Sequence, residues 1–279
     1  MPPETAKNAS PIAEEYYDSD DADAFYREIW GGEDIHIGLY GSGESISEAS
    51  HNTVLKMASR VKALSNNARV LDIGAGYGGA ARVVAKKFGA HVVCLNLSAV
   101  ENARNAKLNE EQVLSDQISI RHGTFEDIPE PSQSVDVVWS QDAILHSGNR
   151  ERVLEEVARV LKPGGDFIFT DPMQADELSD LSVLQPIYDR IHLQNLGSFA
   201  FYRRELTRLG FEEVQIEDLS QQLVMHYTSV ARDLRKKRAS LEGKVSSAYV
   251  DRMLNGLDNW IEGGKNGYLT WGIMHFTKT

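Results

Sequence analysis

A single cysteine, Cys94, stands among 279 residues. No disulfide can form within the chain, and a structural zinc site built on thiolates is ruled out. Cys94 sits inside the apolar run VVCLN and reads as a small buried hydrophobe. No apolar stretch reaches the length of a membrane span. The opening MPPETAKNASPIAEEYY lacks the basic start and apolar run of a secretory signal, so the expected setting is reducing and cytoplasmic. Basic residues are also scarce: 29 Lys and Arg against 41 Asp and Glu give a net charge of −12. Phosphate backbones and anionic membranes call for a basic face, so the balance argues against nucleic-acid and membrane partners. Part of the acid is local, in SDDAD (19–23). An anionic substrate would need local cations or amides to offset it.

What is present reads as one domain with an insertion. Residues 1–13 carry three prolines and read as a tail. Residues 14–66 look helical around a glycine-rich interruption, WGGEDIHIGLYGSG (30–43). From 67 the pattern alternates. ARVLDIGAG (68–76) reads as a strand, GGAARVVAKKFG (78–89) as a helix closed by Gly89, and AHVVCLNLS (90–98) as a second strand. A helix capped by Ser98 follows over 98–113. QISIRHG (117–123) and SVDVVWSQDAIL (134–145) read as strands, and NRERVLEEVARVL (149–161) as an amphipathic helix. KPGG (162–165) reads as a turn and DFIFTDPM (166–173) as a fifth strand. Strands apolar on both faces, joined by helices, predict a mostly parallel α/β sheet covered on both sides. After 173 the rhythm breaks. Residues 174–267 read as helices with one more strand (212–220), a cap inserted before a final strand over 268–279.

The turn GAGYGG (74–79) fits two templates. As Gly74-x-Gly76-x-x-Gly79 it matches a dinucleotide fingerprint. As Asp72-x-Gly74-x-Gly76 it places an acid before the turn, which suits an ammonium group better than a pyrophosphate. The next strand ends in Asn96 and Leu97, where an NAD site would carry an acid. An amide still offers a ribose diol a donor and an acceptor, without the strength of a charged partner. LKPGG (161–165), before the fifth strand, resembles a turn common in class I S-adenosylmethionine-dependent methyltransferases. That resemblance implies their Rossmann-like sheet, S-adenosylmethionine as cofactor with S-adenosylhomocysteine as product, and no metal. It also implies that Thr124 and Phe125 of HGTFEDIP (122–129) lie at the adenine, and that Gln141 faces the cofactor.

The flanks carry a narrower resemblance. EEYYDSDDADAFYREIWGGEDIHIGLY (14–40), SQDAILHS (140–147) and WGIMHFTK (271–278) resemble the small-amine and phosphobase methyltransferases along nearly the whole chain. TDPMQAD (170–176), PIYDRIHLQNLGS (186–198) and FYRRELTRLGF (201–211) are similar to sarcosine/dimethylglycine N-methyltransferases. The implied partner is a small amine. The resemblance pairs His146 with an N-terminal tyrosine, Tyr17, in a latch over the site. A quaternary product favours aromatic faces, for which Tyr26, Trp30, Tyr188 and Tyr202 are candidates. Arg190 and Arg203 are candidates for a substrate carboxylate. A phosphoethanolamine methyltransferase is an alternative, although residues 174–200 hold no Arg-Lys-Tyr trio. A non-catalytic S-adenosylmethionine-binding protein is a second. The sequence leaves the oligomeric state open.

Overall fold

The computed structural model describes residues 20–30 and 33–279. The apolar run RVLDI forms β1 (Arg69–Ile73), and the same sheet holds β2 (His91–Asn96), β3 (Ile118–His122), β4 (Val135–Gln141) and β5 (Leu161–Gln174). Two more strands, β6 (Phe211–Asp218) and β7 (Leu269–Lys278), complete a seven-stranded sheet of order β3-β2-β1-β4-β5-β7-β6. The pairs among β1 to β5 are parallel, and β7 runs antiparallel to both β5 and β6. Alternate residues explain the helices on both faces. Leu71, Ile73, Val93, Leu95 and Val138 feed one core, while Val70, Val92, Cys94, Val137 and Trp139 feed another. Cys94 is buried as expected, and burial pushes its thiol pKa up.

The crossover helices are α3 (Gly79–Phe88), α4 (Ala99–Glu111) and α5 (Arg150–Val160); before them come α1 (Asp20–Phe25), extended by a π-helical turn Tyr26–Trp30, and α2 (Ile46–Ala58). Ser98 caps α4 by accepting the Glu101 N–H at 3.1 Å, as its position in the sequence predicts. The LKPGG segment differs from expectation. It does not precede β5 as a separate turn. Leu161 already pairs with Val135, and the next pairing joins Val137 to Asp166, so residues 162–165 loop out within the strand. Gly164 takes φ +76° there, which a side-chain-bearing residue resists.

Beyond β5 lie α6 (Gln185–Ile191) and α7 (Phe199–Arg208). Between β6 and β7 the chain forms an antiparallel pair of long helices, α8 (Ser220–Lys237) and α9 (Ser247–Lys265), which pack on each other and on α6, β7 and the Tyr26–Trp30 turn. The order of strands reverses between β1 and β4. In a sheet of this kind a ligand crevice opens beyond the carboxyl ends of those strands.

Candidate active site

At that reversal β1 turns into α3 through Gly74, Gly76 and Gly78, all at positive φ. The N–H groups of Gly74 and Ala75 both donate to the Leu95 carbonyl, tying the turn to β2. Gly74 has no alternative: a Cβ on it would lie 2.3 Å from the Cβ of Ala143, which follows β4. This close approach leaves a crevice of about 90 Å³. Gly74, Gly76, Asn96 and Leu97 line one side of it, with Thr124, Phe125 and Gln141 around them. Seven of the eight expected cofactor contacts are thus brought to one place. The eighth, Asp72, faces an adjoining recess shared with Gly74 and Gln141 and lined also by Asp34 and His36.

The electrostatics of the recess are acidic. Burial pushes the Asp72 carboxyl up to about 7, the charge of His36 opposing and that of Asp34 adding. At His36 burial lowers the pKa, but Asp34, whose Oδ1 lies 3.7 Å from the imidazole Nε2, and the charge of Asp142 outweigh it and hold the imidazole above its ordinary value. One buried Asp34 oxygen and the buried Gln141 amide nitrogen have no hydrogen-bond partner among the described residues. Gln141 uses its other atom, Oε1, to accept from the Trp139 indole at 2.9 Å. A ligand bearing an ammonium group and a hydrogen-bond acceptor fits this donor and acceptor set. S-adenosylmethionine carries both on its amino-acid end.

Asn96 brings a neighbour that the sequence reading missed. Its amide nitrogen donates to Glu101 Oε2 at 2.9 Å, and both residues are buried at the crevice. A carboxylate thus lies beside the second strand tip, on the first turn of α4. An aspartate at 96 would set two carboxylates against each other in a buried place, which costs more than the amide does. Acids are common in the first turn of a helix, so Glu101 does not stand out in the sequence.

A second cavity, of about 150 Å³, adjoins the crevice, and Ile35, Asp142 and His146 line both. His146 ends a short 3-10 turn (Ile144–His146) after β4. Burial, and then the charge of Arg150, pushes its imidazole down to about 4, so it is neutral near pH 7. Asp142 was not anticipated. It holds φ +51°, and its carboxylate accepts from three separate segments: the Ile37 N–H (2.6 Å), the Thr170 hydroxyl (2.7 Å) and the Trp271 indole (2.8 Å).

Of the expected substrate contacts, Tyr26, Trp30 and Arg190 line this cavity. Tyr227 of α8 and Trp260 of α9 extend the aromatic wall, their rings 5.5 Å apart. Both are amphipathic-helix residues, which sequence alone assigns to core. Three expected contacts lie elsewhere. Tyr188 is buried and donates to Gln174. Tyr202 is buried against Phe169 and donates to Asp171 at 2.6 Å. Arg203 is exposed on α7 and pairs with Glu213 of β6. Tyr17 lies outside the described residues. Among those residues no cluster of His, Cys, Asp or Glu could hold a metal ion, and no helix is long and apolar enough to cross a membrane.

Comparison with known proteins agrees with this geometry. Residues 71–169 match the model of a methyltransferase domain family. A sarcosine/dimethylglycine N-methyltransferase of Halorhodospira halochloris is 53% identical over 97% of this chain and 97% of its own. One from Aphanothece halophytica is 50% identical over 95% and 96%. The structure of a protein assigned as a sarcosine dimethylglycine methyltransferase from Galdieria sulphuraria superposes with a TM-score of 0.90 at 44% identity, covering 95% of this chain and 99% of that one. A phosphoethanolamine N-methyltransferase of Haemonchus contortus, at 18% identity and a TM-score of 0.83, shares the fold. The sheet is that of a class I methyltransferase, the cofactor is S-adenosylmethionine, and the enzyme is an N-methyltransferase. With about half of all positions shared along nearly its whole length, the chain belongs to the sarcosine/dimethylglycine N-methyltransferases.

Proposed function

We propose that this enzyme methylates the amine of sarcosine and of dimethylglycine, yielding glycine betaine. The observation that carries the reading is the polarity of the second cavity: Asp142 and His146 stand at its junction with the cofactor crevice, and Arg190 stands in its wall. A small amino acid fits with its nitrogen at the junction and its carboxylate toward Arg190. On the order of ten water-sized groups fill such a space, enough for dimethylglycine. The test is an acceptor screen with labelled methyl donor over glycine, sarcosine, dimethylglycine and phosphoethanolamine. Turnover of sarcosine and dimethylglycine is expected. Turnover of phosphoethanolamine alone would replace the reading, and methyl transfer to none of them would favour a binding protein.

When bound, the cofactor supplies an activated methyl group on a sulfonium. The chain must hold a neutral amine in line with it and keep water out. Neutral His146 at the junction orients the amine and, with Tyr17, closes the site. The Asp142 carboxylate faces the positive charge that passes to the nitrogen. Tyr26 and Trp30 offer aromatic faces to the methylated ammonium. Asn96 and Glu101 take the ribose, Thr124 and Phe125 the adenine, and Asp72 with Gln141 the amino-acid end. Residues 14–66 serve as lid and 174–267 as substrate cap around the 67–173 core.

Asp72 gives this arrangement a pH signature. Its carboxyl, raised to about 7, is largely protonated below that pH in the free protein. A bound ammonium favours the ionised form, so binding displaces a proton. Cofactor affinity should tighten with rising pH, approaching tenfold per unit below 7 and levelling off above it. Asp72→Asn should bind weakly and without the slope. Calorimetry between pH 5.5 and 8.5 reads both effects, and a wild-type affinity flat across that range removes Asp72 from the cofactor site.

A further inference from the structure

Helix α9 carries Gly256 in its interior, where glycine weakens a helix relative to alanine. The position has a specific occupant. A Cβ on Gly256 would lie 1.1 Å from Arg190 Nη1 and 2.3 Å from its Cζ, so the guanidinium fills the space that a side chain would take. The same guanidinium donates from Nη2 to Met253 Sδ at 3.0 Å, one turn earlier on α9. Met253, Gly256, Leu257 and Trp260 share one helix face. Three of these line the amine cavity together with Arg190. On its other side Arg190 borders an outer depression that Gly256 also lines. The guanidinium therefore rests against α9, between the cavity and the outer depression.

We propose that Gly256 is a positioning residue for acceptor recognition: by lacking a side chain it seats Arg190 where the acceptor's carboxylate arrives. This rests on the amino-acid acceptor reading above. Gly256→Ala forces the guanidinium out of its seat and leaves the cofactor crevice untouched. The KM for dimethylglycine should rise at least tenfold, with kcat within a factor of two and cofactor affinity unchanged. The KM for 2-(dimethylamino)ethanol, an amine without a carboxylate, should not move. The melting temperature supplies an independent reading. Gly256→Ala should lower it in the presence of Arg190 and raise it in an Arg190→Ala background, where alanine simply favours the helix. In that background it should not change the dimethylglycine KM further. An unchanged dimethylglycine KM in folded Gly256→Ala, or equal increases for both amines, overturns the proposal. If the wild type methylates no glycine-derived amine, the acceptor reading fails, and with it the role in recognition. The melting-temperature cycle still reports whether Gly256 seats Arg190.

Discussion

Asp142→Asn should lower kcat/KM for dimethylglycine by about 100-fold, close to 2.7 kcal/mol of transition-state stabilisation, in a protein that still folds. Asparagine tolerates the left-handed φ of +51° at this position, so backbone strain does not confuse the result. The charge and one acceptor are what change. All three of the carboxylate's recorded partners are donors: a backbone N–H, a hydroxyl and an indole N–H. An amide nitrogen in that ring sets donor against donor, and a buried donor left without an acceptor costs about 1–3 kcal/mol. Ile37, Thr170 and Trp271 belong to the N-terminal segment, β5 and β7, so their alignment at the junction loosens together. Steady-state kinetics with a melting curve on the same sample decide the matter. Wild-type kcat/KM in the asparagine variant would reduce Asp142 to a bystander.

Removing the His146 side chain should cost a similar factor in kcat, for a reason other than proton transfer. With its imidazole held at about 4, His146 is neutral across the working range and is a poor acceptor for an ammonium proton. The wild-type rate between pH 6 and 9 should therefore follow deprotonation of the amine, with no histidine inflection near 6.5. If His146 and Tyr17 act as one latch, Tyr17→Phe and His146→Ala should each cut turnover with dimethylglycine about 100-fold. The double variant should then fall little below the worse single one, because a latch is broken once. Fully additive losses would mean that the two residues work separately.

The cofactor half of the molecule was legible because its signals are local. Parallel strands buried on both faces give continuous apolar runs, and glycines mark the turns between them. Ser98 and Gly89 fall at helix ends as read. The misreadings share one cause, which is contact between segments distant in sequence. Glu101 passes for an ordinary first-turn acid until Asn96 is seen beside it. Arg190 and Arg203 look equivalent in sequence, yet one enters a cavity and the other binds Glu213 on the surface. Tyr202 looks like a cage member until Asp171 claims its hydroxyl. Asp142 looks like a strand-end acid, and nothing local announces its positive φ or its distant donors.

The walls of the amine cavity differ in how they are anchored. Helices α8 and α9 enter and leave through short links to β6 and β7, so the sheet clamps both ends of the pair. Another wall, Ile35 to Ile37, belongs to no strand; the N–H groups of Ile37, Gly38 and Tyr40 are held only by side chains, those of Asp142 and of His226 and Gln222 on α8. Ile35 also fronts the cofactor crevice. Two methyl transfers to one nitrogen require spent cofactor to leave and fresh cofactor to enter between them. If that exchange passes by way of this strandless wall, it uncovers the amine as well. Sarcosine would then reach its final state in two separate visits to the enzyme, with dimethylglycine released into solution between them and competing afresh with sarcosine for the same site.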